Sequence, residues 1–182
     1  MNGFVVWFTG LPAAGKSTIA GLVADELERA RLLVDRLDGD VVRTHLSKGL
    51  GFSKEDRDTN IERIGWVASR LARAGAAVVV SAISPYDEAR RKARALVEEH
   101  APFVLVHVAT SLEECERRDP KGLYAKAHSG ELTGFTGVDD PYEPPLDPEL
   151  RLDTEGRTPQ ASAAVVLARL RELDLLQDEV AA

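Results

Sequence analysis

One eight-residue segment near the N-terminus, GLPAAGKS at residues 10–17, constrains the fold of this chain more than any other stretch. An apolar run from Phe4 to Thr9 precedes it and is typical of a buried strand, and the residues after it have the spacing of a helix. A strand, then G-x-x-x-x-G-K-S, then a helix is the arrangement that a phosphate-binding P-loop requires. Glycines let backbone N–H groups approach phosphate oxygens, and the helix N-terminus adds unpaired donors. The segment predicts a nucleotide-phosphate site; a glycine-rich turn of purely structural use is the alternative.

The side chains of this segment indicate how a nucleotide is held. Lys16 can reach the β- and γ-phosphates, and the Ser17 hydroxyl can hold Mg²⁺. We therefore expect a nucleotide substrate and Mg²⁺ as the cofactor. The residues of the segment that we expect to bind this nucleotide are Gly10, Leu11, Pro12, Ala13, Ala14, Gly15, Lys16, Ser17 and Thr18.

Composition limits the classes of protein to which this chain can belong. Its 182 residues suffice for one domain with a buried core, and its single cysteine fits a reducing compartment. The net charge of −7 argues against binding to nucleic acids or anionic membranes, which require a basic surface. No signal peptide precedes the first strand, and no apolar run reaches about 18 residues. We expect a cytoplasmic protein with a single domain, residues 1–182, and no nucleic-acid or membrane partner.

Strands and helices alternate along the chain. After the first strand, further strands are predicted at 32–37, 76–82, 103–109 and 150–153. Helices are predicted at about 16–30, 41–47, 53–74, 87–100 and 159–173, and one more begins after Ser111. This alternation predicts an α/β fold of the P-loop NTPase type, with a mostly parallel sheet between two helical layers and ligands at the carboxyl ends of the strands. Residues 117–148 lack periodicity and are too long for a simple connector.

Two carboxylates, Asp38 and Asp40, follow the second predicted strand and should lie at the mouth of the site. Phosphoryl transfer uses Mg²⁺ on the phosphates and often a carboxylate that orients or deprotonates the attacking hydroxyl. We favour Asp40 near this hydroxyl and the metal, because Gly39 lets the chain bend it inward. Ser17 and Asp40 are thus the expected metal ligands; a turn of solvated aspartates is the alternative.

Cationic and aromatic side chains beyond this turn are candidates for binding an anionic acceptor. Arg57 and Asn60 share one face of a predicted helix, and Arg43 lies on the preceding helix. Arginine suits phosphate or sulfate oxygens, although a solvated helix face is the alternative. Phe52 and Phe135 lie in glycine-flanked loops, where either stacking on a flat ligand or insertion into the core accounts for them.

Taken together, these segments resemble the adenylyl-sulfate kinase (APS kinase) family over essentially the whole chain. The matching motifs are GLxxAGKS at 10–17, LDGD at 37–40, LGFSxEDR at 50–57, NIxRIG at 60–65, ISPY at 83–86, RDPKGLY at 118–124 and GFTGVDDPYE at 134–143. Many P-loop kinases share the first motif, whereas the last two are far more specific to this family.

The resemblance implies a reaction in which ATP and adenylyl sulfate give ADP and 3′-phosphoadenylyl sulfate. It implies catalytic roles for Lys16, Asp40 and Ser84, and Phe52 and Phe135 would sandwich the acceptor adenine. The substrate-binding residues that it implies are Asp38, Arg43, Phe52, Arg57, Asn60, Ile83, Ser84, Lys121 and Phe135.

Ser84 matches a serine that is described in this family as a phosphoserine intermediate. No histidine or lysine lies beside it in the sequence to activate it as a nucleophile. Direct in-line transfer, with Ser84 as a positioning group, is therefore an open alternative.

The resemblance further identifies residues 117–148 as a lid that closes over the nucleotide and excludes water, with Arg117 assigned to the ATP side. It implies a homodimer, which can be associated with an ATP sulfurylase. The family usually has asparagine where this chain has Val41, which puts acceptor affinity in question. Two rival functions remain open: a kinase of another small hydroxylated acceptor, and a non-catalytic nucleotide-binding regulatory subunit.

Overall fold

A computed structural model of the chain describes residues 3–177, so the two ends of the predicted domain, 1–2 and 178–182, lie outside the described residues. Within this range, the strands are β1 (Phe4–Thr9), β2 (Val34–Asp38), β3 (Ala77–Ser81), β4 (Phe103–Val108) and β5 (Leu150–Leu152). They form one sheet in the order β2-β3-β1-β4-β5, and every neighbouring pair is parallel. The predicted parallel α/β sheet is confirmed.

Helices cover both faces of this sheet. Those in the described range are α1 (Lys16–Arg29), α2 (Gly39–His45), α3 (Lys54–Arg73), α4 (Asp87–Glu98), α5 (Leu112–Arg118), α6 (Leu123–His128) and α7 (Pro159–Glu172). Phe4, Val6 and Phe8 of β1 pack with buried residues of α1 and α7. Val5 and Trp7 point to the other side and pack with α3 and α4. Because both faces of β1 are covered, its sequence is continuously apolar rather than alternating.

The predicted helix starts are confirmed where a capping side chain is present. Ser53 Oγ accepts a 3.1 Å hydrogen bond from the backbone N–H of Asp56, which begins α3. Ser111 caps α5 and Thr158 caps α7 in the same way. Each of these bonds satisfies one of the otherwise unpaired donors in the first turn of its helix.

Helix α2 differs from its prediction, since it begins at Gly39 rather than near residue 41. The reason is that Asp38 caps it: Oδ1 of Asp38 accepts a 3.0 Å hydrogen bond from the backbone N–H of Asp40. The acidic turn is therefore the first turn of a helix, and Asp40 is a helical residue.

Close packing of α3 on α4 fixes one side of the site. A Cβ added at Gly65 of α3 would lie 2.8 Å from Cα and Cβ of Ala93 in α4, so only glycine fits there. Helix α3 carries Arg57 and Asn60, two of the residues predicted to bind the acceptor, and this contact holds it close to α4. No helix within residues 3–177 is long and apolar enough to cross a membrane.

Candidate active site

A cavity of about 950 Å³ opens at the carboxyl ends of the strands. It is of the size that small-molecule sites occupy. The predicted site residues that line it are Pro12, Ala13, Ala14, Gly15, Lys16, Ser17, Thr18, Asp38, Asp40, Arg43, Phe52, Arg57, Asn60, Ile83, Ser84, Lys121 and Phe135. The structure thus brings together residues from all seven motifs of the sequence.

Three predicted residues do not line this cavity: Gly10, Leu11 and Arg117. Gly10 has a positive φ of 153°, and a Cβ there would lie 2.5 Å from the carbonyl oxygen of Val108, so it shapes the entry to the loop. The carbonyl of Leu11 accepts a 2.7 Å hydrogen bond from Nζ of Lys16. Both residues therefore stabilise the conformation of the P-loop without lining the cavity.

Arg117 lies on the outside of α5, where its side chain is 73% exposed and paired with Glu114. Its neighbour Arg118 lines the cavity instead, and its Nη1 donates to Oγ1 of Thr154 at 3.2 Å. The sequence predicted that the aperiodic lid begins at residue 117, but α5 extends through Arg118. Because successive residues of a helix point in different directions, Arg118 and not Arg117 points into the cavity. This placement replaces Arg117 by Arg118 as the arginine beside the P-loop.

Lys16 is buried at the base of the cavity. Its residue is only 8% exposed, and its Nζ bonds to the loop carbonyl of Leu11. Burial lowers the pKa of Lys16 to about 8, although the nearby carboxylates of Asp38 and Asp40 oppose this shift. Anionic phosphates next to this ammonium group would favour its charged form.

Hydroxyl and carboxylate oxygens lie within hydrogen-bonding distance of one another where the P-loop and β2 end. Ser17 Oγ donates to Oδ2 of Asp38 at 2.7 Å and lies 3.1 Å from Oγ of Ser81. No group of three or more His, Cys, Asp or Glu side chains within residues 3–177 could hold a metal alone. Mg²⁺ is commonly bound by one or two protein oxygens together with substrate phosphates, so this donor set fits Mg²⁺. Asp38, rather than Asp40, is the carboxylate beside Ser17.

Asp40 has a different partner. Its Oδ2 accepts a 2.5 Å hydrogen bond from Nζ of Lys121, which belongs to the lid. Both side chains are largely exposed, at 77% and 64%. The pair joins the acidic turn to the lid across the mouth of the cavity and leaves the Asp40 carboxylate open to a ligand.

Arg57 acts as a clamp between two loops. Its Nε donates to the carbonyl of Phe52 at 2.8 Å, and its Nη1 donates to Oγ1 of Thr136 at 2.7 Å. Its Nη2 donates to the carbonyl of Gly134. Three of its five N–H donors thus bond to protein groups, and two are left for a ligand. Arg57 therefore has a structural role in addition to any contact with a ligand. The sequence showed the arginine but not these partners, because they lie in the aperiodic lid.

The two phenylalanines held by this clamp differ in exposure. Phe52 is 64% exposed, with the guanidinium of Arg43 4.3 Å from its ring centroid, so insertion into the core is excluded. Phe135 is 9% exposed and packs edge-on against Tyr124, yet it lines the cavity. Burial and the charge of Arg57 lower the pKa of Arg43, a situation that a bound anion would relieve.

Asn60 has an unused acceptor. Its Oδ1 is buried and has no hydrogen-bond partner among the described residues, although Asn60 lines the cavity. An unsatisfied buried polar atom costs about 1–3 kcal/mol, and such atoms are commonly satisfied by a ligand or a water. The orphaned oxygen therefore marks a position where a ligand donor fits.

Ser84 lies in a strained turn after β3. Its φ is +47°, its residue is 1% exposed, and its Oγ accepts a 2.9 Å hydrogen bond from Nε1 of Trp7. Its other partner within residues 3–177 is the carbonyl of Ala82 at 3.4 Å. Neither partner is a base, so the structure agrees with the sequence that nothing nearby would activate this hydroxyl.

Sequence reasoning missed one wall of the cavity. Besides Arg118, this wall includes Thr154, Arg157, Pro159 and Ser162. Thr154 is the second residue after β5, so the rule that ligands lie beyond strand ends could have identified it. Ser162 lies within α7 and carried no comparable signal in the sequence.

Comparison with known proteins agrees with this geometry. The family model described as adenylylsulphate kinase matches residues 2–153. The adenylyl-sulfate kinase of Rippkaea orientalis is 51% identical over 180 residues, which are 99% of this chain and 98% of that protein. A Sorangium cellulosum protein named probable bifunctional SAT/APS kinase 2 is 54% identical over 173 residues, which are 95% of this chain but only 29% of that protein.

A solved structure is similar as well. It is the Mycobacterium tuberculosis APS kinase CysC in complex with AMPPNP and APS, which matches with a TM-score of 0.90 and 46% identity over 93% of this chain and 98% of that one. Sequence, fold and site geometry therefore agree, and the chain belongs to the adenylyl-sulfate kinase family.

Proposed function

We propose that this chain transfers the γ-phosphoryl group of ATP to the ribose 3′-hydroxyl of adenylyl sulfate, which yields ADP and 3′-phosphoadenylyl sulfate. The observation that carries this function is that one cavity is lined by the P-loop, by the acidic turn and by the aromatic and cationic residues of the acceptor set. A site with both sets can bind a nucleotide donor and a flat, anionic acceptor at the same time.

The P-loop, with Lys16 and Ser17, binds the phosphates of ATP. The guanidinium of Arg118 and the hydroxyl of Thr154 line the adjacent wall, where they are placed to contact the rest of this nucleotide. Ser17 and Asp38 would hold Mg²⁺. When bound, Mg²⁺ neutralises charge on the phosphates and fixes their orientation.

The acceptor is bound by the residues around the Arg57 clamp. Phe52 and Phe135 offer aromatic surface to an adenine ring, and Asn60 offers its free acceptor oxygen to a donor on the ligand. Arg43 donates one N–H to the carbonyl of Gly51, and its other N–H groups can donate to phosphate or sulfate oxygens.

Asp40 accepts the proton of the attacking 3′-hydroxyl in this mechanism. Its carboxylate lines the cavity, and Lys121 holds it from the lid side. Ser84 acts as a positioning group for the acceptor and not as a nucleophile, because neither hydrogen-bond partner of its hydroxyl is a base. Transfer is then in-line from ATP to the acceptor, with no covalent enzyme intermediate.

The experiment that tests this proposal is an acceptor panel. Purified protein is incubated with ATP, Mg²⁺ and either adenylyl sulfate, gluconate or adenosine, and ADP formation gives kcat/KM for each acceptor. We expect adenylyl sulfate to exceed the others by about 100-fold or more, since only it carries adenine, two anionic groups and a 3′-hydroxyl. A better rate with another acceptor would favour the rival kinase. Thermal stabilisation by ATP without any turnover would favour the regulatory subunit.

We also propose that the chain acts as a cytoplasmic homodimer and can associate with an ATP sulfurylase. The resemblance to the family supports the dimer, and the larger SAT/APS kinase relative supports the association. Light scattering on the purified protein gives its mass relative to the 19.8 kDa monomer. Monomeric mass would contradict the dimer, and co-purification with a sulfurylase from the native host tests the association.

A further inference from the structure

A buried arginine outside the cavity holds the turn that carries Ser84. Arg90, in the first turn of α4, is 2% exposed and is not a cavity residue. Its Nη1 donates to the carbonyl of Ser84 at 2.6 Å, and its Nη2 donates to the carbonyl of Glu143 at 2.6 Å. Its anionic partner, Asp87, is 3.2 Å away and partly exposed. Burying a guanidinium is costly, and the two carbonyl contacts and the Asp87 pair offset part of the lost hydration, while Nε of Arg90 has no hydrogen-bond partner among the described residues.

The first carbonyl belongs to a backbone conformation that needs support. A positive φ at a residue other than glycine is unfavourable and persists only where neighbours enforce it. At Ser84 the neighbours are Trp7, which donates to Oγ, and Arg90, which donates to the carbonyl oxygen at 2.6 Å. Thr9 Oγ1 makes a longer contact of 3.4 Å with the same carbonyl oxygen. Together they fix both the side chain and the backbone of a residue that lines the cavity.

The second carbonyl belongs to residues 140–143 of the lid, which we name the lid anchor because they tie the lid to the body of the protein. The backbone N–H of Glu143 donates to the carbonyl of Pro85 at 2.8 Å. Tyr86 Oη donates to Oδ1 of Asp140 at 2.8 Å. Arg90 therefore lies where the Ser84 turn and the lid anchor meet, and it bonds to both.

A chain of contacts continues from the lid anchor to the Arg57 clamp. Thr136 Oγ1 lies 3.3 Å from Oδ2 of Asp140 and accepts a hydrogen bond from Nη1 of Arg57. Two acceptor-binding elements, the Ser84 turn and the Arg57 clamp, are thus connected through the anchor. A shift of the anchor would disturb both.

We propose that Arg90 is a positioning residue, which holds the Ser84 turn and the lid anchor as one unit so that the lid closes in register with the acceptor. This inference rests on the proposed kinase function. A lid that closes out of register admits water, so the consequence of losing Arg90 is ADP formation without phosphorylation of the acceptor.

The test compares Arg90→Lys and Arg90→Met with Arg94→Met. Lysine keeps the charge but has no planar fork for two carbonyls, and methionine keeps only the apolar length. Arg94 lies one turn further along α4 and pairs with Glu149 at 2.7 Å, so its variant loses a comparable bond away from the lid anchor. For both Arg90 variants we expect kcat with adenylyl sulfate to fall about tenfold or more while the KM for ATP changes less than about twofold.

The decisive readout is the ratio of ADP to 3′-phosphoadenylyl sulfate. We expect it to rise above one for the Arg90 variants and to stay at one for Arg94→Met. A loss of thermal stability with an unchanged ratio would overturn the inference. If Arg90→Met fails to fold, Arg90→Lys, which keeps the charge and loses the fork to the two carbonyls, provides the same test.

A second readout does not depend on the reaction. Trypsin cleavage after Lys126 of the lid is followed with and without AMPPNP and adenylyl sulfate. Ligands should protect the lid in the wild-type chain and in Arg94→Met, and protect it less in the Arg90 variants. If the wild-type chain makes no 3′-phosphoadenylyl sulfate, the proposed function fails, and equal protection in all variants would separately refute the role of Arg90.

Discussion

Ser17 Oγ donates a 2.7 Å hydrogen bond to Oδ2 of Asp38 and so joins the P-loop to the end of β2. The other carboxylate oxygen of Asp38 accepts the backbone N–H of Asp40 and caps α2. Because both oxygens are already oriented, this carboxylate can receive a cation beside the P-loop with little rearrangement. Asp40 projects from the same turn toward the lid. The two aspartates therefore have different partners, and we expect their roles to be separable.

Asp38→Asn is the variant that tests the metal assignment. Asparagine keeps an oxygen that can cap α2 but removes the negative charge beside Ser17. We expect kcat to fall about 100-fold and the half-saturating concentration of Mg²⁺ to rise severalfold. Initial rates over a series of Mg²⁺ concentrations measure both. Asp40→Asn is the matched control, in which kcat falls without a change in the Mg²⁺ requirement; the reverse pattern would exchange the two roles.

Binding of ATP should protonate Lys16. Since the pKa of Lys16 is lowered to about 8, roughly half of these side chains are neutral at pH 8 in the ligand-free protein, and phosphates restore their charge. We expect uptake of up to about half a proton per AMPPNP at pH 8 and much less at pH 7. Calorimetry in buffers with different ionisation enthalpies measures it. Lys16→Arg should abolish the uptake, and net proton release at pH 8 would be inconsistent with a neutral lysine.

Arg57 should affect both acceptor binding and stability. Arg57→Ala removes three hydrogen bonds that join the loops of Phe52 and Phe135, so we expect the KM for adenylyl sulfate to rise about tenfold or more and the free energy of unfolding to fall by about 2–4 kcal/mol. Arg57→Lys should rescue little, because an ammonium cannot replace the fork. Steady-state kinetics and urea denaturation provide the measurements.

Arg63→Ala is the control for Arg57, since Arg63 lies on the same helix and bonds to one carbonyl, that of Leu46, outside the cavity. It should leave the KM for adenylyl sulfate unchanged. Equal kinetic damage at both positions would show that α3 as a whole, and not the clamp, determines acceptor binding.

Val41 should not limit acceptor affinity. The resemblance implies asparagine at this position, but Val41 is 56% exposed and does not line the cavity. We expect Val41→Asn to change the KM for adenylyl sulfate by less than about twofold, because no ligand contact is gained. Steady-state kinetics of the variant check this, and a tenfold change would mean that the bound acceptor reaches α2 beyond the cavity.

Local signals explain what the sequence could predict. The continuous apolar run of β1, the P-loop glycines and the helix that follows all indicate one structure, and Ser53 and Thr158 are caps that act within three residues. Parallel strands then bring their carboxyl ends together, which placed most candidate residues around one cavity. These parts required no knowledge of long-range contacts.

The features that the sequence could not determine depend on distant partners or on helix phase. Arg57 contacts residues 77 and 79 positions away, in a lid with no periodicity. The choice between Arg117 and Arg118 depends on the phase of α5, which turns about 100° per residue. The proposal that Asp38 is a metal ligand rests on its 2.7 Å contact with Ser17, which spans 21 positions and carries no local signal in the sequence.

The central claim is tested most directly by where the γ-phosphate of ATP goes. Purified protein is incubated with ATP labelled in its γ-phosphate, Mg²⁺ and adenylyl sulfate, and the products are separated and identified by phosphorus NMR. The account predicts label at the ribose 3′-position of 3′-phosphoadenylyl sulfate, one for each ADP formed, and none with Lys16→Met. Label only in inorganic phosphate or on Ser84, while both ligands still bind, would contradict it.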